Sequence, residues 1–180
     1  MRLTDIAKTF LSEVLNEGDK AVDATAGNGY DTHFLAERVG AKGHVYAFDI
    51  QAPAIAATER RLAAAGLLSR VTLIQDSHDN LDAYVDHDVN VAMFNLGFLP
   101  GSDKQTTTSF ATTGRALTKL LTRLAHLGRL TVMAYRGHDG GESETQAVAN
   151  LIHALDARFV VTEKKAPANG PVLFMIEKIN

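Results

Sequence analysis

The order of apolar segments constrains the fold of this 180-residue chain more than any other feature of its sequence. Short runs with strand character alternate with stretches that have helical spacing. The predicted strands cover residues 20–24, 44–49, 70–75, 89–94, 129–135, 158–163 and 172–178. The predicted helices cover residues 3–15, 31–39, 53–66, 80–85, 112–127 and 142–156. This alternation predicts an α/β fold in which helices cover both faces of a mostly parallel sheet.

The last two predicted strands depart from the alternation, because only the loop of residues 164–171 joins them. A crossover between parallel neighbours needs about a dozen residues or more. We therefore expect strand seven to run antiparallel. A mostly parallel seven-stranded sheet with an antiparallel strand seven is the Rossmann-like architecture of class I methyltransferases.

Length and composition limit the organisation of the chain and its partners. A single domain over residues 1–180 is expected, since this length supports one core and leaves little room for a second. The net charge is -3, so any contact with nucleic acid should be local rather than spread over a broad surface. We expect no metal and no membrane partner. Without a signal peptide or a long apolar run, the expected location is cytoplasmic.

The absence of cysteine excludes several functional classes. A disulfide-built fold, a cysteine-ligated zinc site and an iron–sulfur enzyme all require cysteine. A mechanism with a cysteine nucleophile, which methylation at carbon 5 of pyrimidines commonly uses, is excluded as well.

The segment after the first predicted strand has the pattern of a nucleotide-type cofactor loop. It reads Asp-x-Thr-x-Gly-x-Gly from Asp23 to Gly29, a variant of the acidic-x-Gly-x-Gly-x-Gly loop of S-adenosylmethionine (SAM) methyltransferases. The start of the next helix favours an anion such as the SAM carboxylate. We predict cofactor contacts from Asp23, Thr25, Gly27, Asn28, Asp31 and Thr32. Plain helix capping is the alternative role for the last two, and both roles can coexist.

A second acid supports the cofactor prediction. Asp49 ends the second predicted strand, where a carboxylate can accept hydrogen bonds from both ribose hydroxyls of a nucleoside. Ile50 would pack on the adenine, and Gln51 follows it. Ser77 and His78 follow the third strand and could bind the adenine amino group. For His78 the alternative is an ordinary histidine in a surface loop.

Residues after the fourth and fifth strands are candidates for the reaction itself. Asn95 follows the fourth strand, where the transferred methyl group is expected, so we predict that it contacts cofactor and takes part in catalysis. Amino-methylating enzymes often carry Asp/Asn-Pro-Pro-Tyr/Phe there, and Asn95-Leu-Gly-Phe98 retains the polar and aromatic positions without the prolines. Tyr135 and His138 follow the fifth strand and are candidates to contact substrate or handle a proton.

Several segments resemble a small bacterial family formerly described as putative rRNA methylases. They are residues 22–32, 43–51, 77–79, 94–104 and 135–138, and the Asn-Leu-Gly-Phe-Leu-Pro-Gly run from Asn95 is the most specific. The resemblance covers nearly the whole chain but is poor after residue 160. Ala26 stands where the family has a bulkier Met, and Arg136 where it often has His. The family is associated with methylation of the aminomethyl group on wobble uridine of tRNA, giving 5-methylaminomethyl-(2-thio)uridine.

The resemblance implies a tRNA anticodon loop as substrate. A neutral primary amine attacks the SAM methyl group without a cysteine, and desolvation in the pocket lowers the pKa of such an amine. Asn95 would orient the nitrogen, and Asp103 or His138 would serve as a base if one is needed. A flipped uridine could stack on Phe98 or Tyr135. Because the net charge is negative, contact with tRNA would depend on a local group of basic residues, Lys104, Arg115 and Arg136. A second subunit of a homodimer is one way to complete this group.

Other functions stay open at this point. One is SAM-dependent methylation of rRNA. Another is methylation of a small-molecule amine or hydroxyl, which the small size and the negative net charge favour. A third is a non-catalytic module that binds SAM or RNA. Activity on free amines without tRNA methylation would support the second, and SAM binding without transfer to any RNA would support the third.

Overall fold

The computed structural model describes residues 2–97, 110–137 and 140–180. The described chain contains a seven-stranded sheet. Its strands are β1 (Lys20–Asp23), β2 (His44–Phe48), β3 (Val71–Ile74), β4 (Val89–Leu96), β5 (Leu124–Ala134), β6 (Phe159–Lys165) and β7 (Val172–Lys178). They lie in the order β3-β2-β1-β4-β5-β7-β6. The pairs among β1 to β5 are parallel, and β7 is antiparallel to both β5 and β6, so the predicted sheet is confirmed.

Helices cover both faces of the sheet, as predicted. They are α1 (Leu3–Ser12), α2 (Tyr30–Val39), α3 (Ala52–Ala64), α4 (Phe110–Arg123) and α5 (Gly141–His153). Successive residues of β4 point to opposite faces. Val91 packs with buried side chains of α2 and α3, whereas Phe94 packs with those of α4 and α5. Both hydrophobic clusters therefore meet at the central strand, which fixes the ends of β1 and β4 beside each other.

Two predicted helices differ from the structure. The helix predicted over residues 112–127 ends at Arg123, and Gly128 lies within β5. Leu124 is buried as a strand residue, although it continues the helical leucine spacing, and Leu127 has a left-handed φ of 60°. The backbone needs Gly128 there, because a Cβ would lie 2.9 Å from the Asn90 carbonyl oxygen. The short helix predicted over residues 80–85 is a 3-10 turn over His78–Ala83.

The parallel strands all end at one edge of the sheet. The chain passes from β1 outward to β3, then returns to β4 beside β1 and continues outward to β5. Ligands of such sheets bind at the carboxyl ends of the strands, near the point where the strand order reverses. That point is the gap between the ends of β1 and β4. None of the helices that the structure describes is long and apolar enough to span a membrane.

Candidate functional site

The Asp23 side chain closes the loop between β1 and α2. It is completely buried. One carboxylate oxygen accepts a hydrogen bond from the Thr25 backbone N–H at 3.1 Å, and the other accepts one from the Thr32 hydroxyl at 2.6 Å. Because the side chain is completely buried and its oxygens bond to the loop and to α2, Asp23 holds the shape of this loop.

Burial raises the pKa of Asp23 to about 7, and the nearby charge of Asp31 contributes to the same shift. The unfolded chain would ionise this carboxyl near its usual value of 3.8. As pH rises from 4 to 7, the unfolded state releases the proton while the folded state still holds it. The contribution of Asp23 to the free energy of unfolding therefore falls across that window and is lost above pH 7.

We expect Asp23→Asn to gain stability relative to the wild type as pH rises. The difference in the free energy of unfolding should grow by on the order of 2 kcal/mol between pH 5 and pH 8, because the amide cannot ionise. Urea unfolding of both proteins at the two pH values measures it. Asp86→Asn, at an exposed acid, is the matched control. A difference that stays constant with pH would show that Asp23 does not titrate in this way.

The Asp49 side chain lies at the end of β2, where both of its carboxylate oxygens accept hydrogen bonds. One of its carboxylate oxygens accepts a hydrogen bond from the Gly27 N–H and the other from the Gln51 N–H, each at 2.9 Å. A carboxylate accepts about four hydrogen bonds, so each oxygen keeps capacity for one more donor. Two adjacent acceptors held in fixed directions fit the two hydroxyls of a ribose. Ile50 is 53% exposed beside them and can cover a flat apolar ring.

Helix α3 fixes the backbone of the glycine loop from outside. The Thr58 hydroxyl donates to the Gly27 carbonyl at 3.0 Å, and Arg61 Nε donates to the Asn28 carbonyl at 2.8 Å. Gly29 has a φ of 78°, and a Cβ there would lie 2.9 Å from Thr58, so only glycine fits. Within the described part of the chain, no side chain caps the N-terminus of α2 at Gly29. The first N–H groups of α2 are thus available to an anion, such as a carboxylate.

Asn95 joins the end of β4 to the loop and to α2. Its backbone N–H donates to Thr25 Oγ1 at 2.7 Å, and its Nδ2 donates to Asp31 at 2.8 Å. The other oxygen of Asp31 forms an ion pair with Lys8 of α1, also at 2.8 Å. Since the amide nitrogen of Asn95 faces a carboxylate, its Oδ1 is the remaining acceptor. The chain of contacts from Lys8 to Asn95 holds that acceptor in one orientation.

His78 is buried at the same edge, so it is not a surface histidine. Its Nδ1 donates to the Ala24 carbonyl at 3.0 Å, and its ring packs edge-on against Phe94 with 5.6 Å between centroids. Burial lowers the pKa of His78, which favours the neutral imidazole. Its Nε2 is buried and has no partner among the described residues. An unpaired buried acceptor is costly, and an N–H donor such as the adenine amino group would satisfy it.

The predicted substrate residues differ in how far their side chains are exposed or already bonded to other parts of the protein. Tyr135 is 40% exposed, and burial with a smaller effect of Asp31 raises its pKa. Arg115 forms an ion pair with Asp79 at 2.6 Å. Arg136 donates two hydrogen bonds of 2.9 Å to the carbonyls of Gly170 and Ala168, in the turn between β6 and β7. The other predicted residues lie outside the described part of the chain: Phe98, Asp103, Lys104 and His138.

Three residues of the site were not expected from the sequence. Lys8, Thr58 and Arg61 contact the loop or Asp31 from helices α1 and α3. A lysine, a threonine or an arginine within a helix carries no local signal of such a role. Ser77 was predicted, and its N–H donates to Asp76 at 2.7 Å beside His78. No group of three or more His, Cys, Asp or Glu in the described ranges could hold a metal ion.

The strand order with one antiparallel strand, the glycine loop and the acid at the end of β2 define a SAM-dependent methyltransferase. The residues at the edge fit SAM: Asp49 offers acceptors for the ribose, α2 an uncapped N-terminus, and His78 an unpaired buried nitrogen. The chain belongs to the family described as putative rRNA methylase, whose sequence pattern matches residues 45–177.

Three known proteins are similar to this chain over most of their length. A chloroplastic tRNA (mnm(5)s(2)U34)-methyltransferase of Arabidopsis thaliana is 36% identical over 99% of this chain and 70% of its own length. A putative rRNA-methylase from Clostridium thermocellum is 40% identical, with a TM-score of 0.97 over 99% of this chain and 98% of that one. A putative methyltransferase from Streptococcus mutans in complex with SAH is 38% identical, with a TM-score of 0.91 over the same shares.

Proposed function

We propose that this chain methylates the aminomethyl nitrogen of wobble uridine 34 in tRNA, giving 5-methylaminomethyl-(2-thio)uridine. The observation that carries the proposal is the 36% identity over 99% of the chain to a plant enzyme named for that nucleoside. The polar site at the end of β4 supports it, because a primary amine needs an oriented acceptor there. A reaction of this kind uses no cysteine, and the chain has none.

Cofactor binding is assigned to three groups at the sheet edge. Bound SAM supplies an electrophilic methyl group on a sulfonium. The Asp49 carboxylate accepts the two ribose hydroxyls while it holds the Gly27 N–H. The first turn of α2 receives the cofactor carboxylate, and His78 Nε2 accepts the adenine amino group. Asp23 and Thr32 keep the loop in the shape that makes these contacts possible.

Asn95 positions the substrate amine. Its Oδ1 accepts an N–H of the amine, which directs the nitrogen lone pair towards the methyl group. The amine must be neutral to attack, and removal from water in the pocket lowers its pKa. A new carbon–nitrogen bond forms, the carbon–sulfur bond breaks, and the nitrogen then releases one proton. Asp103 and His138 stay candidate bases for that proton.

The remaining assignments are proposals that depend on the tRNA substrate. Phe98 and Tyr135 would stack on the flipped uridine, and Lys104, Arg115 and Arg136 would lie near phosphates. The single domain, the homodimer and the cytoplasmic location stay predictions. Methylation of rRNA is the second candidate function, since the family to which the chain belongs is described as putative rRNA methylase.

A substrate competition tests the proposal. Tritiated SAM is supplied with bulk tRNA that carries unmethylated aminomethyluridine, with rRNA from the same cells, or with free 5-aminomethyluridine. We expect label in the tRNA alone, because the anticodon loop presents the amine in a bound, flipped geometry. Fully methylated tRNA is the matched control and should take up no label. Label in rRNA or in the free nucleoside, with none in tRNA, would contradict the proposal.

A further inference from the structure

A groove of about 580 Å³ lies between α2 and α3, beside the glycine loop. We call it the α2–α3 groove, and its lining includes Tyr30, His33, Ala57, Arg60, Arg61 and Ala64. The alanines leave room between the two helices, so the larger side chains stand along an open channel. Asn28, a predicted cofactor contact, also lines the groove, and Arg61 holds its carbonyl; the side chains of the other lining residues were not assigned to the cofactor and amine site.

Tyr30 and Arg61 form a stacked platform in this groove. The Arg61 guanidinium lies 3.6 Å from the centroid of the Tyr30 ring. Arg61 is fixed by its bond to the Asn28 carbonyl, yet Tyr30 remains 63% exposed. An exposed aromatic ring backed by a guanidinium is a surface on which a nucleic acid base stacks without sequence preference. Burial of the ring in the protein core does not explain its position.

The charge of the groove is not balanced by ion pairs. Arg115, Arg123 and Arg129 each pair with a carboxylate. In the described residues, Arg60 and Arg61 form no ion pair at all. The acids on the two helices are Asp31, which pairs with Lys8, Glu37, which lies 3.4 Å from His33, and Glu59, which is exposed. Among the described residues neither guanidinium has a carboxylate partner, and this local positive charge in a protein of net charge -3 favours a polyanion at this place.

The start of α2 borders both the groove and the reaction site. Tyr30 and Asp31 are consecutive in the first turn of α2, and Asp31 binds the Asn95 amide. An RNA whose base enters beside Asn95 therefore passes its neighbouring nucleotides over the start of α2. By contrast, Arg136 is committed to carbonyls and Arg115 to Asp79. Arg60, which is exposed and has no carboxylate partner among the described residues, is thus freer to bind phosphate than these two.

We propose that the α2–α3 groove binds the RNA strand next to the methylated nucleotide, with a base stacked on Tyr30 and a phosphate paired with Arg60. The inference rests on the proposed function only in taking RNA as the substrate. It adds a second contact region, made by helices α2 and α3, to the edge of the sheet that holds the cofactor. Phosphate pairing here is local, which agrees with an overall negative charge.

Fluorescence anisotropy with a labelled, unmodified tRNA transcript tests the groove directly. We expect Arg60→Glu to raise the Kd about tenfold and to lower the slope of log K against log salt by about 1. Tyr30→Ala should raise the Kd at least about fivefold through lost stacking. The matched control is Lys164→Glu, which makes the same charge change at an exposed residue of β6 that forms no ion pair with the described residues. SAM affinity should be unchanged in Arg60→Glu and in Lys164→Glu.

Turnover on tRNA that carries aminomethyluridine separates the groove from the proposed function. The KM for tRNA should rise with the Kd in Arg60→Glu, while kcat at saturating tRNA stays within about twofold. If the wild type binds tRNA but transfers no methyl group, the proposed reaction is wrong. The binding data alone then test whether the groove binds RNA. Arg60→Glu and Tyr30→Ala affinities equal to that of Lys164→Glu would overturn the groove, and so would a wild type that does not bind tRNA.

Discussion

Replacement of Asp49 by alanine is expected to weaken SAM binding at least about 100-fold. Two hydrogen bonds from ribose hydroxyls to a charged acceptor are lost, and each is worth roughly 1.5–3 kcal/mol. The variant also frees the N–H groups of Gly27 and Gln51, so the loop loses its anchor to β2. Isothermal titration calorimetry with SAM measures the effect, and thermal unfolding confirms that the variant is folded.

Two further variants test whether the loss of SAM affinity is specific to the Asp49 carboxylate. Asp86→Ala removes an exposed carboxylate that precedes β4, at the opposite edge of the sheet, and should leave SAM affinity unchanged. Asp49→Asn keeps one carbonyl oxygen but turns an NH₂ group towards a backbone donor, so its affinity should fall between those of wild type and alanine variant. Wild-type affinity in folded Asp49→Ala would remove Asp49 from the ribose site.

Replacement of Asn95 by alanine is expected to lower kcat about 100-fold or more and to change the Kd for SAM by less than about threefold. Loss of an orienting acceptor misplaces the amine, and small misplacements of reacting groups have effects of this size. Asp31 and Lys8 keep their ion pair in the variant, so the loop beside the cofactor stays supported. Single-turnover methyl transfer to tRNA measures the rate of the reaction, and calorimetry measures the Kd for SAM.

Asn90 offers a matched control for Asn95 on the same strand. Its side-chain oxygen accepts the Lys20 N–H at the start of β1, at the far edge of the sheet. Asn90→Ala should cost some stability and leave kcat unchanged. Asn95→Asp places a second carboxylate against Asp31 and should also be slow, because like charges at this distance oppose each other. Full turnover in Asn95→Ala would exclude Asn95 from the reaction.

The architecture was predictable because it follows from local spacing. The short connection of residues 164–171 forces an antiparallel pair, and the structure confirms that β6 and β7 pair in this way. Asp49 was placed correctly at the end of β2, because it directly follows the apolar run of residues 45–48. The end of α4 was not, since Leu124 continues the leucine spacing of the helix but belongs to β5. Periodicity cannot distinguish those two cases at a buried position.

Contacts between distant segments were beyond the sequence pattern. Lys8 reaches Asp31 from α1, and Arg61 reaches Asn28 from α3, only because the helices pack side by side on one face. The sequence also could not tell which arginines are free. Arg136 binds the turn between β6 and β7, whereas Arg60 has no carboxylate partner in the described chain. The charge of an arginine does not show which group it binds in the folded protein, because the fold determines which groups lie near it.

The central claim is that the methyl group goes to the aminomethyl nitrogen of wobble uridine. Nucleoside mass spectrometry of tRNA, treated with the protein and SAM and then digested, tests it most directly. The claim predicts that 5-aminomethyl-(2-thio)uridine disappears while 5-methylaminomethyl-(2-thio)uridine appears in equal amount, with the added carbon on the exocyclic nitrogen in the fragment spectrum. An unchanged aminomethyluridine peak under conditions that saturate the protein with SAM, or a methyl group on any other nucleoside, would contradict it.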